Sequence, residues 1–192
     1  MKASWDIFCS VVDNYGDAGV TWRLARQLVA EHGLQVRLWI DDLSAFVRLC
    51  PAADPQARQQ WQEGVSVCQW PTEWLNTDIP DGVIEAFACR LPTRYTEAML
   101  QRSPRPLWLN LDYLSAEDWV SGCHGLPSPQ SNGLKKFFFF PGFSEATGGL
   151  LHEKNLIEQR QAFQQNSAAR QAFLSGLGIE ALAGARLISV FA

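Results

Sequence analysis

The sequence lacks a basic excess and a long apolar run. Its 16 Lys and Arg residues are outnumbered by 20 Asp and Glu, the net charge is −4, and the basic residues are scattered. This leaves no electrostatic footprint for nucleic acid and favours a basic or neutral partner. No apolar stretch reaches the roughly 18 residues that a membrane span needs, and the amino terminus has no signal-peptide profile. We therefore expect a cytoplasmic protein that contacts neither nucleic acid nor membrane.

Paired cysteines are also missing. The five cysteines are odd in number, widely separated and mostly inside apolar runs: Cys9, Cys50, Cys68, Cys89 and Cys123. This usage is typical of reduced, buried thiols rather than of disulfides or a zinc site. We therefore expect no metal.

The first 40 residues predict a strand, a helix and a second strand. Residues 5–12 carry apolar side chains on both alternating sets, and residues 20–29 repeat them every fourth position before Gly33 ends the helix. Residues 36–40 form the next apolar run. Because such a βαβ unit has a right-handed crossover, the loop at residues 13–19 lies at a strand's carboxyl end. The fold class is therefore α/β with a parallel sheet flanked by helices, and 192 residues with 47% hydrophobic content suffice for a full core.

Further elements follow along the chain. Further strands are predicted over residues 65–68, 83–87, 107–111, 137–140 and 186–191, the 137–140 strand being buried and central. Helices are predicted up to residue 49, over 92–102, from a Ser115 capping box through 120, and over 150–176 with a break near 166. Residues 122–133 are rich in Gly, Pro, Ser and Asn and predict a surface loop.

The loop after the first strand carries two carboxylates, Asp13 and Asp17, with no Lys or Arg between them. Dinucleotide loops place backbone N–H groups against phosphate, which this charge would repel. The G-x-G-x-x-G pattern is also missing, because only Gly16 and Gly19 occur. The loop therefore indicates a site for a cation or a proton. In an alternative, purely structural interpretation, Asp17 caps the following helix and Asp13 closes an Asx turn, and both roles can coexist.

Three segments carry a resemblance to a known family: residues 13–24 (DNYGDAGVTWRL), 109–119 (LNLDYLSAEDW), and 139–143 (FFPGF) with 147–151 (TGGLL). Together they resemble the bacterial protein-arginine rhamnosyltransferases that modify translation elongation factor P. The similarity runs from the first strand to the last residue.

The resemblance implies the N-terminal half of a GT-B glycosyltransferase, in which two Rossmann-like halves face each other across a cleft. Residues 1–184 are then the acceptor-binding Rossmann-like domain, and residues 185–192 begin a truncated donor-binding domain. The implied reaction moves L-rhamnose from dTDP-β-L-rhamnose, with inversion, to an arginine side chain of elongation factor P. The donor is a substrate, so neither a cofactor nor a metal is expected. The chain alone is expected to be inactive.

Site residues follow from the same resemblance. Asp17 matches the catalytic base and Asp13 its supporting carboxylate. Asn14, Tyr15 and Gly16 match the loop that lies against the donor, and Phe191 matches the start of the donor site, where an aromatic ring packs near the thymine. Two alternatives remain open: a Rossmann-type nucleotide-dependent enzyme of another class, and a non-catalytic protein-binding module.

Overall fold

The computed structural model describes residues 2–12, 15–74, 78–180, 186–188 and 190. The strands described are β1 (Ser4–Cys9), β2 (Gln35–Ile40), β3 (Gln59–Gln62), β4 (Val65–Gln69), β5 (Gly82–Ala86), β6 (Leu107–Leu111), β7 (Pro127–Pro129) and β8 (Lys135–Phe139). The helices described are α1 (Gly16–His32), α2 (Leu43–Val47), α3 (Thr93–Gln101), α4 (Val120–Cys123), α5 (Leu156–Gln165) and α6 (Ser167–Gly176). The α/β class predicted from the sequence is confirmed.

The strands form one sheet in the order β3-β4-β2-β1-β5-β6-β8-β7. Its inner pairs are parallel, whereas β3 and β7 pair antiparallel with β4 and β8 at the two edges. The sheet is therefore mixed rather than wholly parallel. Numbered along the chain, the parallel strands run 3-2-1-4-5-6, the Rossmann order. The strand order reverses between β1 and β5, where open α/β sheets keep their ligand sites.

The first βαβ unit forms as its sequence predicts. Helix α1 ends at His32, and its cap residue Gly33 has a φ of 65°, in the left-handed region, with its N–H donating to the carbonyls of Leu28 and Val29. The buried side of α1, including Trp22 and Ala25, packs on β1 and β2 in one hydrophobic core.

The opposite face of the sheet has a second core beneath α3, built from Phe8, Trp74, Tyr95, Met99 and Trp108. Aromatic packing dominates it: the rings of Phe8 and Tyr95 lie 4.7 Å apart, edge to face. Most of the tryptophans and phenylalanines are thus explained by packing.

Strand β8 differs from its prediction. It lies second from the sheet edge and Phe137 to Phe139 are half-buried, so it is not a buried central strand. Its outer neighbour β7 falls within residues 122–133, which were predicted as a loop. Two of the three residues of this strand are prolines, which argue against a strand in sequence-based prediction. An edge strand nevertheless tolerates proline, because the N–H groups on its outer side have no partner strand.

The capping box predicted at Ser115 is also wrong. The Ser115 hydroxyl accepts the N–H of Glu117 at 3.1 Å in a local turn, and helix α4 begins only at Val120.

The chain divides into two compact units, residues 1–151 and 152–192. The first holds the sheet. The second holds α5 and α6, which break at Asn166 as predicted, and the rings of Phe163 and Phe173 pack edge to face at 5.8 Å. Of the predicted strand over residues 186–191, residues 189 and 191 lie outside the described residues, and 186–188 form neither helix nor strand.

Candidate active site

The segment that leads from β1 towards α1 is held by the end of β2. The Asp41 carboxylate accepts the N–H of Val11 at 2.8 Å and the hydroxyl of Ser10 at 2.5 Å. The neighbouring Asp42 caps α2 instead, accepting the N–H groups of Ser44 and Ala45. These two acidic residues, which the sequence places at one edge, therefore serve backbone geometry.

Asp17 lies in the first turn of α1, next to the point where the strand order reverses. It is half-buried, and its negative charge is favourable near a helix N-terminus. The N-cap position belongs to Tyr15, which makes no side-chain cap, so Asp17 is not the helix-capping residue of the alternative interpretation.

Tyr113 brings a second segment of the chain to Asp17. It follows β6, and its hydroxyl donates to Asp17 Oδ2 at 3.2 Å across 96 residues of sequence. Its ring stacks on Phe87 after β5, with centroids 4.4 Å apart and planes 19° apart. Three strand ends thus converge on one carboxylate.

The turn that presents Phe87 has an unusual backbone. Phe87 and Ala88 both have φ of 54°, in the left-handed region that favours glycine. The N–H of Phe87 donates to the Leu111 carbonyl at 2.7 Å, which fixes the turn to the end of β6. Non-glycine residues in this region often mark functional sites.

The third segment packs against the end of β8. Gly148 donates its N–H to the Phe140 carbonyl at 2.8 Å, and Ser115 donates to Pro141 at 3.2 Å. Arg23 on α1 donates to the Leu151 carbonyl at 3.3 Å. All three sequence segments that carry the resemblance therefore meet at the carboxyl edge of the sheet.

Cys9 lies at the end of β1, in the same region. Burial raises the pKa of its thiol to about 12, and the charges of Asp17 and Asp41 add to this, while a hydrogen bond with Thr21 opposes it. The thiol is therefore protonated at neutral pH and is a poor nucleophile. All five cysteines are free, as predicted.

The structure describes three of the predicted site residues. Besides Asp17, Tyr15 is 46% exposed and Gly16 is exposed, both at the start of α1. Asp13, Asn14 and Phe191 lie outside the described residues, so their predicted roles stay predictions.

Sequence reasoning missed Tyr113 as a site residue. The available signal was its position directly after a predicted strand, inside one of the three quoted segments. Its partner could not be read from sequence, because spacing along the chain carries no information about a contact made across the sheet edge.

Among the described residues, no group of three or more His, Cys, Asp or Glu side chains is arranged to hold a metal ion. None of the described helices combines the length and apolar character that crossing a membrane requires.

The fold and the site define a Rossmann-like α/β domain with a carboxylate, that of Asp17, at its switch point. The family model described as "Elongation-Factor P (EF-P) rhamnosyltransferase EarP" matches residues 5–192. The chain belongs to this family.

Comparisons with individual curated proteins agree with this family assignment. The chain is 68% identical over 192 residues to a protein-arginine rhamnosyltransferase of Pseudomonas putida, covering 100% of this chain and 51% of the relative. The enzyme of the same name from Pseudomonas aeruginosa is 58% identical over 190 residues, covering 99% and 50%. A solved structure described as "Structural basis for EarP-mediated arginine glycosylation of translation elongation factor EF-P" is 39% identical in sequence to this chain. The match covers 99% of this chain and 41% of that chain, with a TM-score of 0.47. The chain thus spans about half the length of the curated relatives it matches.

Proposed function

We propose that this chain is the acceptor-binding half of a cytoplasmic, inverting GT-B glycosyltransferase. The whole enzyme transfers L-rhamnose from dTDP-β-L-rhamnose to an arginine of translation elongation factor P and needs neither a cofactor nor a metal. Family membership supports the proposal, as do relatives named protein-arginine rhamnosyltransferase. The activity is proposed for a protein of the relatives' length.

The observation that carries the proposal is the half-buried Asp17 carboxylate at the sheet's switch point, held by Tyr113. This position is where Rossmann-like domains present reacting groups, and its negative charge suits a cationic acceptor better than a phosphate.

The chemistry requires help beyond a simple base. A guanidinium has a pKa above about 12, so a carboxylate of ordinary pKa near 4 removes its proton poorly. Asp13 and Asp17 accept charge-assisted hydrogen bonds from the planar N–H groups and so orient one nitrogen toward the sugar. Such positioning contributes several kcal/mol toward the barrier.

In the proposed step, an arginine nitrogen forms a bond to the anomeric carbon as the bond to the dTDP oxygen breaks. Attack on the opposite face inverts the configuration, and dTDP leaves with the electron pair. The proton of the attacking nitrogen passes to Asp17, while Asp13 holds the guanidinium. We propose donor-binding roles for Asn14, Tyr15, Gly16 and Phe191 in the full-length enzyme.

The test uses the full-length enzyme, dTDP-rhamnose and elongation factor P, with intact-mass spectrometry of the factor. Asp17→Asn keeps the shape of the side chain and removes the base, and we expect turnover to fall by about 10² to 10⁴. Asp42→Asn is the matched control at the same sheet edge, because asparagine caps a helix as well as aspartate. Near-normal turnover of Asp17→Asn would refute the assignment.

Binding and modification assays, first on the 192-residue chain alone, distinguish between the remaining alternatives. We expect it to bind elongation factor P more weakly as salt rises, and to leave the factor unmodified in the presence of dTDP-rhamnose. Binding of a nicotinamide cofactor would favour another class of nucleotide-dependent enzyme. If the full-length protein binds the factor without modifying it, the protein is a binding module.

A further inference from the structure

Tyr113, whose hydroxyl contacts Asp17, is held in place both by backbone hydrogen bonds and by stacking of its ring. The Asp112 side chain accepts the Tyr113 N–H at 2.9 Å, and the Asp112 N–H donates to the Phe139 carbonyl at 3.0 Å. The ring stacks on Phe87. Although 54% of Tyr113 is exposed, its backbone and ring are both fixed.

The hydrogen bond between the two residues has a defined direction. Partial desolvation raises the pKa of the Tyr113 phenol, and the charge of Asp17 raises it further. The proton therefore stays on the phenol at neutral pH, and the hydroxyl donates to a carboxylate acceptor. A donor of this kind favours the ionised form of the carboxylate.

We propose that Tyr113 is a positioning residue for the reaction: its hydroxyl fixes the plane of the Asp17 carboxylate and holds it ionised, ready to accept the proton of the acceptor. The catalytic part of this inference rests on the proposed function. A carboxylate has about four lone-pair sites, and Tyr113 occupies one of them on Oδ2. It thereby sets the orientation from which the carboxylate meets a planar guanidinium.

Other titratable groups lie close to this pair. Asp112 adjoins Tyr113, Cys9 lies at the end of β1, and Asp41 lies at the end of β2, where it adds to the field on Cys9. The Tyr113 hydroxyl donates to the Asp17 carboxylate, so its removal withdraws a donor that favours the ionised form and has a predictable sign.

The first experiment compares the pH profile of kcat/KM for the full-length wild type and Tyr113→Phe. Phenylalanine keeps the stack on Phe87 and removes only the hydroxyl. We expect kcat/KM at neutral pH to fall about tenfold and the acid limb to move to higher pH, because the base loses a donor that favours its ionised form. Tyr95→Phe is the matched control: it removes a hydroxyl that donates to Asp6 at 2.7 Å in the core, and it is expected to lower Tm without moving the acid limb.

A second measurement does not depend on activity. Aspartate labelled with ¹³C at its carboxyl carbon reports the titration of Asp17 in the full-length protein, with Asp17→Asn assigning the signal. An upward move of its midpoint in Tyr113→Phe supports the inference even if no rhamnose is transferred, in which case only the proposed function fails. An active Tyr113→Phe enzyme with an unmoved midpoint and an unmoved acid limb overturns the inference and leaves the proposed function standing. In an Asp17→Asn background, Tyr113→Phe should cause no further loss, since it acts through Asp17; a further loss would mean that Tyr113 contacts substrate itself and would also overturn the inference.

Discussion

The Asp41 carboxylate holds the backbone N–H of Val11 at 2.8 Å and thereby ties the end of β1 to the end of β2. Asp41 also accepts the Ser10 hydroxyl, and so fixes the chain just before the loop that carries Asp13 and Asp17. We expect Asp41→Ala to lower the free energy of unfolding by about 1 to 3 kcal/mol, because a backbone donor and a hydroxyl lose a charged acceptor.

Urea unfolding of Asp41→Ala and Asp41→Asn measures this loss. The asparagine variant keeps one acceptor oxygen and should lose less. Equal stability of wild type and both variants would mean that water replaces the carboxylate without cost.

The βαβ opening could be predicted from the sequence because every signal in it is local. Each signal depends only on neighbours within a few residues: the apolar run of β1, the apolar residues at every fourth position of α1, and the left-handed conformation of Gly33. The same holds for the break at Asn166, whose side chain accepts the N–H of Ala169.

The edges of the sheet could not be predicted in this way. β3 consists of Gln59, Gln60, Trp61 and Gln62, with Trp61 70% exposed, so no face of it is apolar. It is stabilised by pairing with β4, which is a tertiary contact. For the site, the sequence indicated Asp17 through its place after a strand, but the contact with Tyr113 depends on the strand order across the sheet.

Arg37 and Asp6 form a two-pronged ion pair on the α3 side of the sheet, with N–O distances of 2.6 and 2.8 Å. Asp6 is fully buried and also accepts the Tyr95 hydroxyl. We expect Arg37→Met to lower the free energy of unfolding at neutral pH by about 3 to 5 kcal/mol, since it leaves a buried carboxylate without its cation.

The pH dependence of this variant has a definite sign. Burial raises the pKa of Asp6, and the bonds from Arg37 oppose that rise. Without Arg37 the folded-state pKa lies well above the unfolded value of about 3.9. The variant is therefore least impaired at pH values below about 4 and loses stability as pH rises through the folded-state pKa. Thermal unfolding from pH 4 to 8 tests this, and a penalty that does not change with pH would contradict it.

Gly148 lies against the ring of Phe139. A Cβ at this position would stand 2.5 Å from the ring, closer than real contacts allow, and 3.1 Å from His124, tighter than most real contacts. We expect Gly148→Ala to lower the free energy of unfolding by about 1 to 3 kcal/mol through overpacking. Gly122→Ala is the matched control, because nothing lies within 4 Å of its added Cβ and alanine favours the helix. Equal effects in chemical unfolding would rule out steric crowding as the cause.

Asp81 joins the start of β1 to the end of α3. Its carboxylate accepts the Ser4 N–H at 2.8 Å and pairs with Arg102 at 2.6 Å. These contacts lower the pKa of Asp81, and the hydrogen bond from the Ser4 N–H has the largest effect. A lowered folded-state pKa gives stability that is present above the unfolded value of about 3.9 and is lost as pH falls below it through the folded-state pKa. Asp81→Asn should therefore have a lower Tm than the wild type at pH 6, and the difference should narrow as the pH falls to 3. Arg102→Gln removes one partner and should give part of the same pattern, whereas a Tm difference that widens toward acid would show that the carboxylate does not stabilise the fold through its ionised form.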